Sequence, residues 1–276
     1  MIIINPDFQF INQGPGITGI YKQIETAGRT CYKSEDKMTS DSAEGFVNRM
    51  IKSGHGAMLE HGTVYLKAED KYTTYSIYDI EYEGNDLDKY WDNKYSTCRR
   101  VGNIIYVTTN MRVLVENGWL EDLHKYLCEP TTHHEKRVTV RFTCDRGVSH
   151  EFVRHRVMSF AQESTRYCNY SKEKFGGSVS MILPPWLEQE NALEYEEDLR
   201  IVEEMYFKWL KKGWTAQQAR GFLPTFVKTE LVVTGTVSDW IHFFDLRCPA
   251  SAHPQARELA QPLHDAFVAK GYITVE

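Results

Sequence analysis

The sequence predicts an α+β (mixed) fold: a central, mostly antiparallel sheet flanked by helices, with an inserted lobe after the second strand. Three observations predict it. Residues 63–68 and 137–144 alternate with the period of a strand, and 226–237 is rich in β-formers. The C-terminal third otherwise reads as helix, through stretches of 3.6-residue spacing bounded by capping and stop residues. Between 69 and 136 the texture changes to tyrosines, acids and Asn/Gly turns, which reads as an insertion into a single domain spanning 1–276.

Met1 to Asp7 is a first strand, broken by Pro6. It lacks the basic flank of a signal peptide. Ile17, Ile20, Ile24 and Ala27 mark a helix, and Asp41 with Glu44 opens a second, whose stripe is Phe46, Val47 and Met50 and whose stop is Gly54. A loop, 55–62, leads into the strand at 63–68. Inside the insertion, 104–108 is strand-like and 111–116 and 120–127 are weakly helical. The 137–144 strand turns Val138, Val140 and Phe142 inward and is expected to pair with 63–68. Asp145 starts a helix expected to run to about Val157. Residues 191–212 form an amphipathic helix closed by Gly213. Thr215 and Gln218 make a capping box for a short helix ending before Pro224. Ser238 is expected to cap the helix holding Trp240, Ile241, Phe243 and Phe244, and Pro254 opens the last helix, which Gly271 follows.

At 276 residues the chain can bury a substantial core. A net charge of −6 argues against a general grip on nucleic-acid backbones, so each arginine has to be judged by position. No run of about 18 apolar residues exists to span a membrane. The six cysteines are scattered without a CxxC pair, which points to reduced thiols in the cytoplasm. His55, His61, His133 and His134 lack a carboxylate at ligand spacing, so no metal site is expected.

The densest chemistry is Arg154-His155-Arg156 followed by Ser159, Gln162, Glu163, Ser164, Thr165, Arg166 and Tyr167. An isolated Arg-His-Arg is ordinarily a solvated basic face. Here Phe152, Val153, Val157 and Met158 surround it, and arginine makes forked bonds to phosphate. On a helix Arg154 and Arg156 would point about 200° apart, toward two ligands or two subunits.

Arg154-His155-Arg156, seven residues, Ser164 and then Arg166 resembles the RHRx7S signature of the flavin-dependent thymidylate synthases. Further matches follow in the family's order. His55-x4-Glu60-His61 resembles its His-x4-Glu-His loop, Ala219-Arg220-x2-Leu223-Pro224 its Ala-Arg-x2-Leu-Pro turn, and Leu246-Arg247-x5-His253 its Leu-Arg-x5-Gln/His segment. The resemblance implies FAD-dependent reductive methylation of dUMP to dTMP. 5,10-Methylenetetrahydrofolate would be the carbon donor and NADPH the reductant, with tetrahydrofolate released. It implies a homotetramer with active sites shared between subunits, with no nucleic-acid or membrane partner. It places Arg247 at the uracil ring as the catalytic group. Glu151, Arg154, Gln162, Glu163, Ser164, Thr165, Arg166, Arg220 and Arg247 fall at dUMP-binding positions. His55, Ala57, Arg154, His155, Arg156, Gln162, Thr236, Ser238 and His242 fall at FAD-binding positions. It also implies that Arg154 and Arg247 reach one site from different chains.

The chain departs from the family pattern at Ala57, Glu151, Ala161, Gln162, Thr236 and His242. Glu151 and Gln162 exchange the usual amide and acid, which leaves the local charge unchanged. Ser164 has no implied base beside it and reads as a positioning residue, not a nucleophile. Cys168 and Cys248 lack the Pro-Cys setting of a methylation nucleophile. Two other function classes fit parts of the sequence: a metal-dependent nucleotide hydrolase using the histidines, and a nucleotide- or RNA-binding protein using the Arg-His-Arg patch.

Overall fold

Pro6 divides the first apolar run into two strands with different partners. The computed structural model describes residues 1–74 and 80–274; residues 75–79, which fall within the expected insertion, and residues 275–276 lie outside the described residues. In chain order the elements are β1 (Ile2–Ile4), β2 (Asp7–Ile11), α1 (Gly16–Tyr32), α2 (Ser42–Lys52), α3 (Gly56–Leu59), β3 (Thr63–Glu69), β4 (Lys71–Thr74), β5 (Ile80–Gly84), β6 (Thr97–Val101), β7 (Ile104–Asn110), α4 (Met111–Asn117) and α5 (Asp122–Lys125). Then follow β8 (Arg137–Asp145), α6 (Arg146–Phe152), β9 (Ser159–Gln162), β10 (Ser180–Ile182), α7 (Ala192–Lys211), α8 (Ala216–Ala219), β11 (Lys228–Thr236), α9 (Val237–Arg247) and α10 (Pro254–Ala269).

The central sheet has the order β2-β8-β11-β9, all antiparallel, with β8 and β11 in register from Arg137↔Thr236 to Asp145↔Lys228. Alternation puts Val138, Val140, Phe142 and Cys144 on one face, where they pack against Phe152, Trp240, Phe243, Leu263 and Phe267 of α6, α9 and α10. The Trp240 indole donates to the Val138 carbonyl at 3.1 Å, so the largest core side chain is also hydrogen-bonded. The opposite face carries Thr139 and Thr234, whose hydroxyls lie 2.8 Å apart, and is covered by α1 and by the segment containing His61.

The expected pairing of 137–144 with 63–68 is corrected. β3 pairs with β7, and β7 in turn with β6, in a separate three-stranded sheet. The reason is burial. The inward side of β7 supplies Ile105 and Val107, which join Val64 and Leu66 of β3 over Ile20, Ile24, Phe46 and Val47. β8 is instead needed at the centre of the first sheet, with a partner on each side. A third cluster under α7 joins Val179, Met181, Leu199, Tyr206 and Val227 and holds β1 parallel to β10.

Three local readings also change. The loop 55–62 holds the short helix α3. Asp41 occupies the N-cap of α2 without a side-chain capping bond. Thr236, not Ser238, caps α9, through a capping box with Asp239. The Thr215–Gln218 box, the Gly54 and Gly213 stops at positive φ and Pro254 at the start of α10 stand as read. Among the described residues no helix is long and apolar enough to cross a membrane.

Candidate active site

The helix opened by Asp145 is shorter than the sequence suggests. Asp145 caps it, accepting from the Val148 N–H at 2.6 Å, but it ends at Phe152. Arg154-His155-Arg156 therefore lies in a turn, and the 200° helical argument does not apply. Tertiary demands end the helix: from Ser159 on the chain must be extended to pair with β11, Leu231↔Gln162 through Thr234↔Ser159. Phe152, His155 and Met158 are buried as anchors, while Arg154, Arg156 and Val157 are exposed. Gly235 makes room for this turn, since a Cβ there would sit 2.8 Å from the Met158 methyl carbon.

Arg154 and Arg156 still go to different places. Arg154 lies 3.3 Å from the Glu151 carboxylate, and Arg247 reaches the same group from α9 at 2.8 Å. Arg247 also donates to the Glu151 carbonyl at 2.7 Å and, through Nε, to His155 Nε2 at 3.1 Å. Three of its five N–H donors are thereby fixed by its own chain, leaving two to aim outward. Its side chain is 12% exposed and that of Arg154 is 68% exposed. The expectation that Arg154 and Arg247 come together from different chains is corrected: one chain already brings both to one carboxylate.

His155 must be neutral to accept from Arg247. Burial, then Arg247, then the His242 ring 5.7 Å away pull it down to about 4. His61 is enclosed beneath the sheet, with Nδ1 2.8 Å from the Thr234 hydroxyl, and burial followed by Arg137 lowers it to about 3. It braces the loop to the sheet. Both groups titrate near 6.5 when unfolded, so the unfolded chain takes up these protons first. Stability is full above about pH 6.5 and falls as the pH drops toward 4. The melting temperature is expected to decline from pH 7 to about pH 4.5, and His61→Asn or His155→Gln to flatten that decline. An unchanged slope in both variants would contradict it.

A second group gathers at the other end of β9. Arg220 lies 3.5 Å from the Thr165 hydroxyl, and Arg166 Nε donates to Gln217 at 2.9 Å. The Arg166 backbone N–H donates to Ser164 Oγ at 3.3 Å. Tyr167 packs on Tyr32, whose hydroxyl is 3.0 Å from His55 Nδ1, and Ala57 is exposed on the same short helix that His55 begins. Glu163 lies inside the fold and Gln162 is half-buried. Gln162 donates to the Ser149 and Thr229 hydroxyls at 2.8 and 3.2 Å. Glu163, 2% exposed, accepts from Lys228 at 2.9 Å and Tyr170 at 3.1 Å. No hydrogen bond or ion pair among the described residues joins this group to the Glu151 cluster.

The third place is a cavity of about 380 Å³. Arg156, Thr236 and Ser238 line it together with residues the sequence reading missed: Arg137, Arg112, Lys94 and Thr108. The Arg137 guanidinium contacts only neutral acceptors: the Glu60 carbonyl at 3.1 Å and the Thr63 and Ser159 hydroxyls at 3.4 and 3.5 Å. Neither it nor Arg156 makes an ion pair among the described residues. Arg137 is half-buried and Arg156 exposed; desolvation disfavours the Arg137 charge more than Asp239 and Glu60 nearby favour it, and an anionic ligand would offset that. The available signal was the alternation Arg137, Thr139, Arg141, Thr143, a polar face on a strand whose other face is core. Also among the described residues, no group of three His, Cys, Asp or Glu side chains is placed to hold a metal.

Comparison with known proteins matches residues 88–270 to the family described as thymidylate synthase complementing protein. The chain is 33% identical over 119 residues to the flavin-dependent thymidylate synthase of Geobacter sulfurreducens, covering 42% of this chain and 49% of that one. The Pyrococcus furiosus enzyme of the same name is 32% identical, over 42% and 48% of the two chains. That of Corynebacterium aurimucosum is 24% identical over 86% and 71%. With the first two, the chain spans about half the length of the relatives it matches.

Proposed function

The chain belongs to the thymidylate synthase complementing protein family, and from that premise we propose that it catalyses the flavin-dependent reductive methylation of dUMP to dTMP. The observation that carries this reading is Arg247, held by Glu151 and a neutral His155 beside Arg154. A guanidinium fixed on one side and free on the other is preorganised to stabilise negative charge developing on a uracil ring. His155 and Glu151 are positioning residues for it. Arg154 then meets dUMP from its exposed side, and Ser164, Thr165, Arg166 and Arg220 hold the nucleotide phosphate, with the backbone at Gln162 and Glu163 shaping that loop.

When bound, FAD supplies hydride chemistry, reduced by NADPH, while 5,10-methylenetetrahydrofolate brings the carbon and leaves as tetrahydrofolate. The cavity residues Arg156, Thr236 and Ser238 fit such a dinucleotide through its anionic groups, with His155 and His242 at the edge of the Arg247 cluster and His55 and Ala57 on the α3 side. We read the protein as a single domain with an insertion at about 69–136. It works in the cytoplasm as a homotetramer, in which the Arg247 cluster of one chain faces the Ser164–Arg220 group of another. All six cysteines are free thiols, which agrees with a reducing compartment.

Purified protein is expected to be yellow, to release FAD on denaturation and to form dTMP from dUMP, methylenetetrahydrofolate and NADPH. Colourless protein that fails to take up added FAD would overturn the reading.

A further inference from the structure

The inserted segment reaches the cavity that holds Arg156. Thr108, from β7, is 2% exposed, lines this cavity, and its hydroxyl has no hydrogen-bond partner. A buried hydroxyl left without a partner costs about 1–3 kcal/mol, so such groups ordinarily meet something. Lys94, also from the insertion, stands on the same wall and makes no ion pair among the described residues. Arg112 is paired with both Glu60 at 2.6 Å and Glu116 at 2.7 Å, so this trio on the wall carries one net negative charge. Outside that trio the lining carries three cations, Lys94 (over the Tyr95 ring at 4.9 Å), Arg137 and Arg156, against one carboxylate, Asp239, which is bonded to Thr236, together with the unpartnered Thr108 hydroxyl. Ser96, Asn110, Ser159 and Ser238 add polar groups to the lining, beside the apolar Tyr95, Val113, Val157 and Met158. The cations and hydroxyls of this lining suit phosphates.

We infer that the inserted lobe completes a diphosphate subsite in this cavity, with Thr108, Lys94 and Arg137 contacting the phosphates of a nucleotide ligand alongside Arg156. The identity of that ligand as a dinucleotide rests on the function proposed above; the subsite itself rests on the cavity. It gives the insertion a binding role, and it makes the lobe a determinant of which phosphorylated cofactor the protein retains.

The test uses full-length protein freed of flavin, titrated calorimetrically with ADP and, separately, with adenosine. Thr108→Val keeps the shape and removes only the hydroxyl; it is expected to weaken ADP binding about fivefold. Lys94→Ala and Arg137→Gln are each expected to weaken it about tenfold and to reduce its dependence on salt. Adenosine binding should change less than twofold in all three. Lys94 is at the surface of the cavity, so its variant keeps the test alive if Arg137→Gln fails to fold. ADP binding that is unchanged in folded Thr108→Val and Lys94→Ala, or equal losses for ADP and adenosine, would overturn the inference. The two proposals separate cleanly. Thr108-dependent ADP binding in a protein that makes no thymidylate would uphold the subsite and sink the reaction; active protein with ADP binding indifferent to Thr108 and Lys94 would do the reverse.

Discussion

Arg247→Ala is expected to lower thymidylate formation by at least about 10²–10³-fold, the usual loss when one preorganised electrostatic donor is removed. The geometry argues for the upper end. The guanidinium is held by three bonds to Glu151 and His155, so little reorganisation is left for the reacting state. Arg247→Lys should recover little, because an ammonium cannot make the forked contacts with Glu151 and still face outward. Flavin content should stay near that of the unaltered protein, which separates a chemical defect from loss of cofactor. The same variant tests the shared site. Arg247 and Arg220 belong to groups with no bond between them among the described residues, so co-expressing differently tagged Arg247→Ala and Arg220→Ala chains should restore a clear fraction of activity. Mixed oligomers that stay as inactive as the single variants would show that both groups serve from one chain.

Glu163→Leu is expected to destabilise the fold by about 3 kcal/mol, the low end for breaking a buried ion pair, because Lys228 keeps Glu230 as a second partner. For a chain of this size that is a drop in melting temperature of roughly 6–12 °C. Burial alone would raise the Glu230 carboxyl, but Lys228 and Lys33 hold it down at about 2, so Glu230 stays charged and shares the remaining cation. The double variant Glu163→Leu/Lys228→Met leaves Glu230 with Lys33 at 2.5 Å and should regain much of the loss. If Glu163 instead met dUMP through its side chain, Glu163→Leu would melt normally and bind the nucleotide poorly. That outcome would reverse the placement of this carboxylate inside the fold.

What the sequence determined by itself was local or chemical. The caps at Asp145 and Thr215, the stops at Gly54 and Gly213, and the inward face of Val138, Val140 and Phe142 depend on near neighbours and on periodicity, which are legible in one dimension. The chemistry of the site was legible for a similar reason: Arg154, His155, Arg156, Ser164, Arg220 and Arg247 are residue types whose work with anions hardly depends on context. The tertiary structure decided where that chemistry is delivered. Pairing of β9 with β11 ended the helix at Phe152 and separated Arg154 from Arg156 by a turn, where the sequence suggested a helical angle. Competition for buried partners sent β3 to β7 and left β8 at the centre of the other sheet. Packing also put Thr108 and Lys94, which carry no motif, into the cavity of Arg156, while Glu163, which stands inside one, was enclosed with Lys228. Strand pairing and burial join residues a hundred or more positions apart, and their energies come from contacts that no local pattern records.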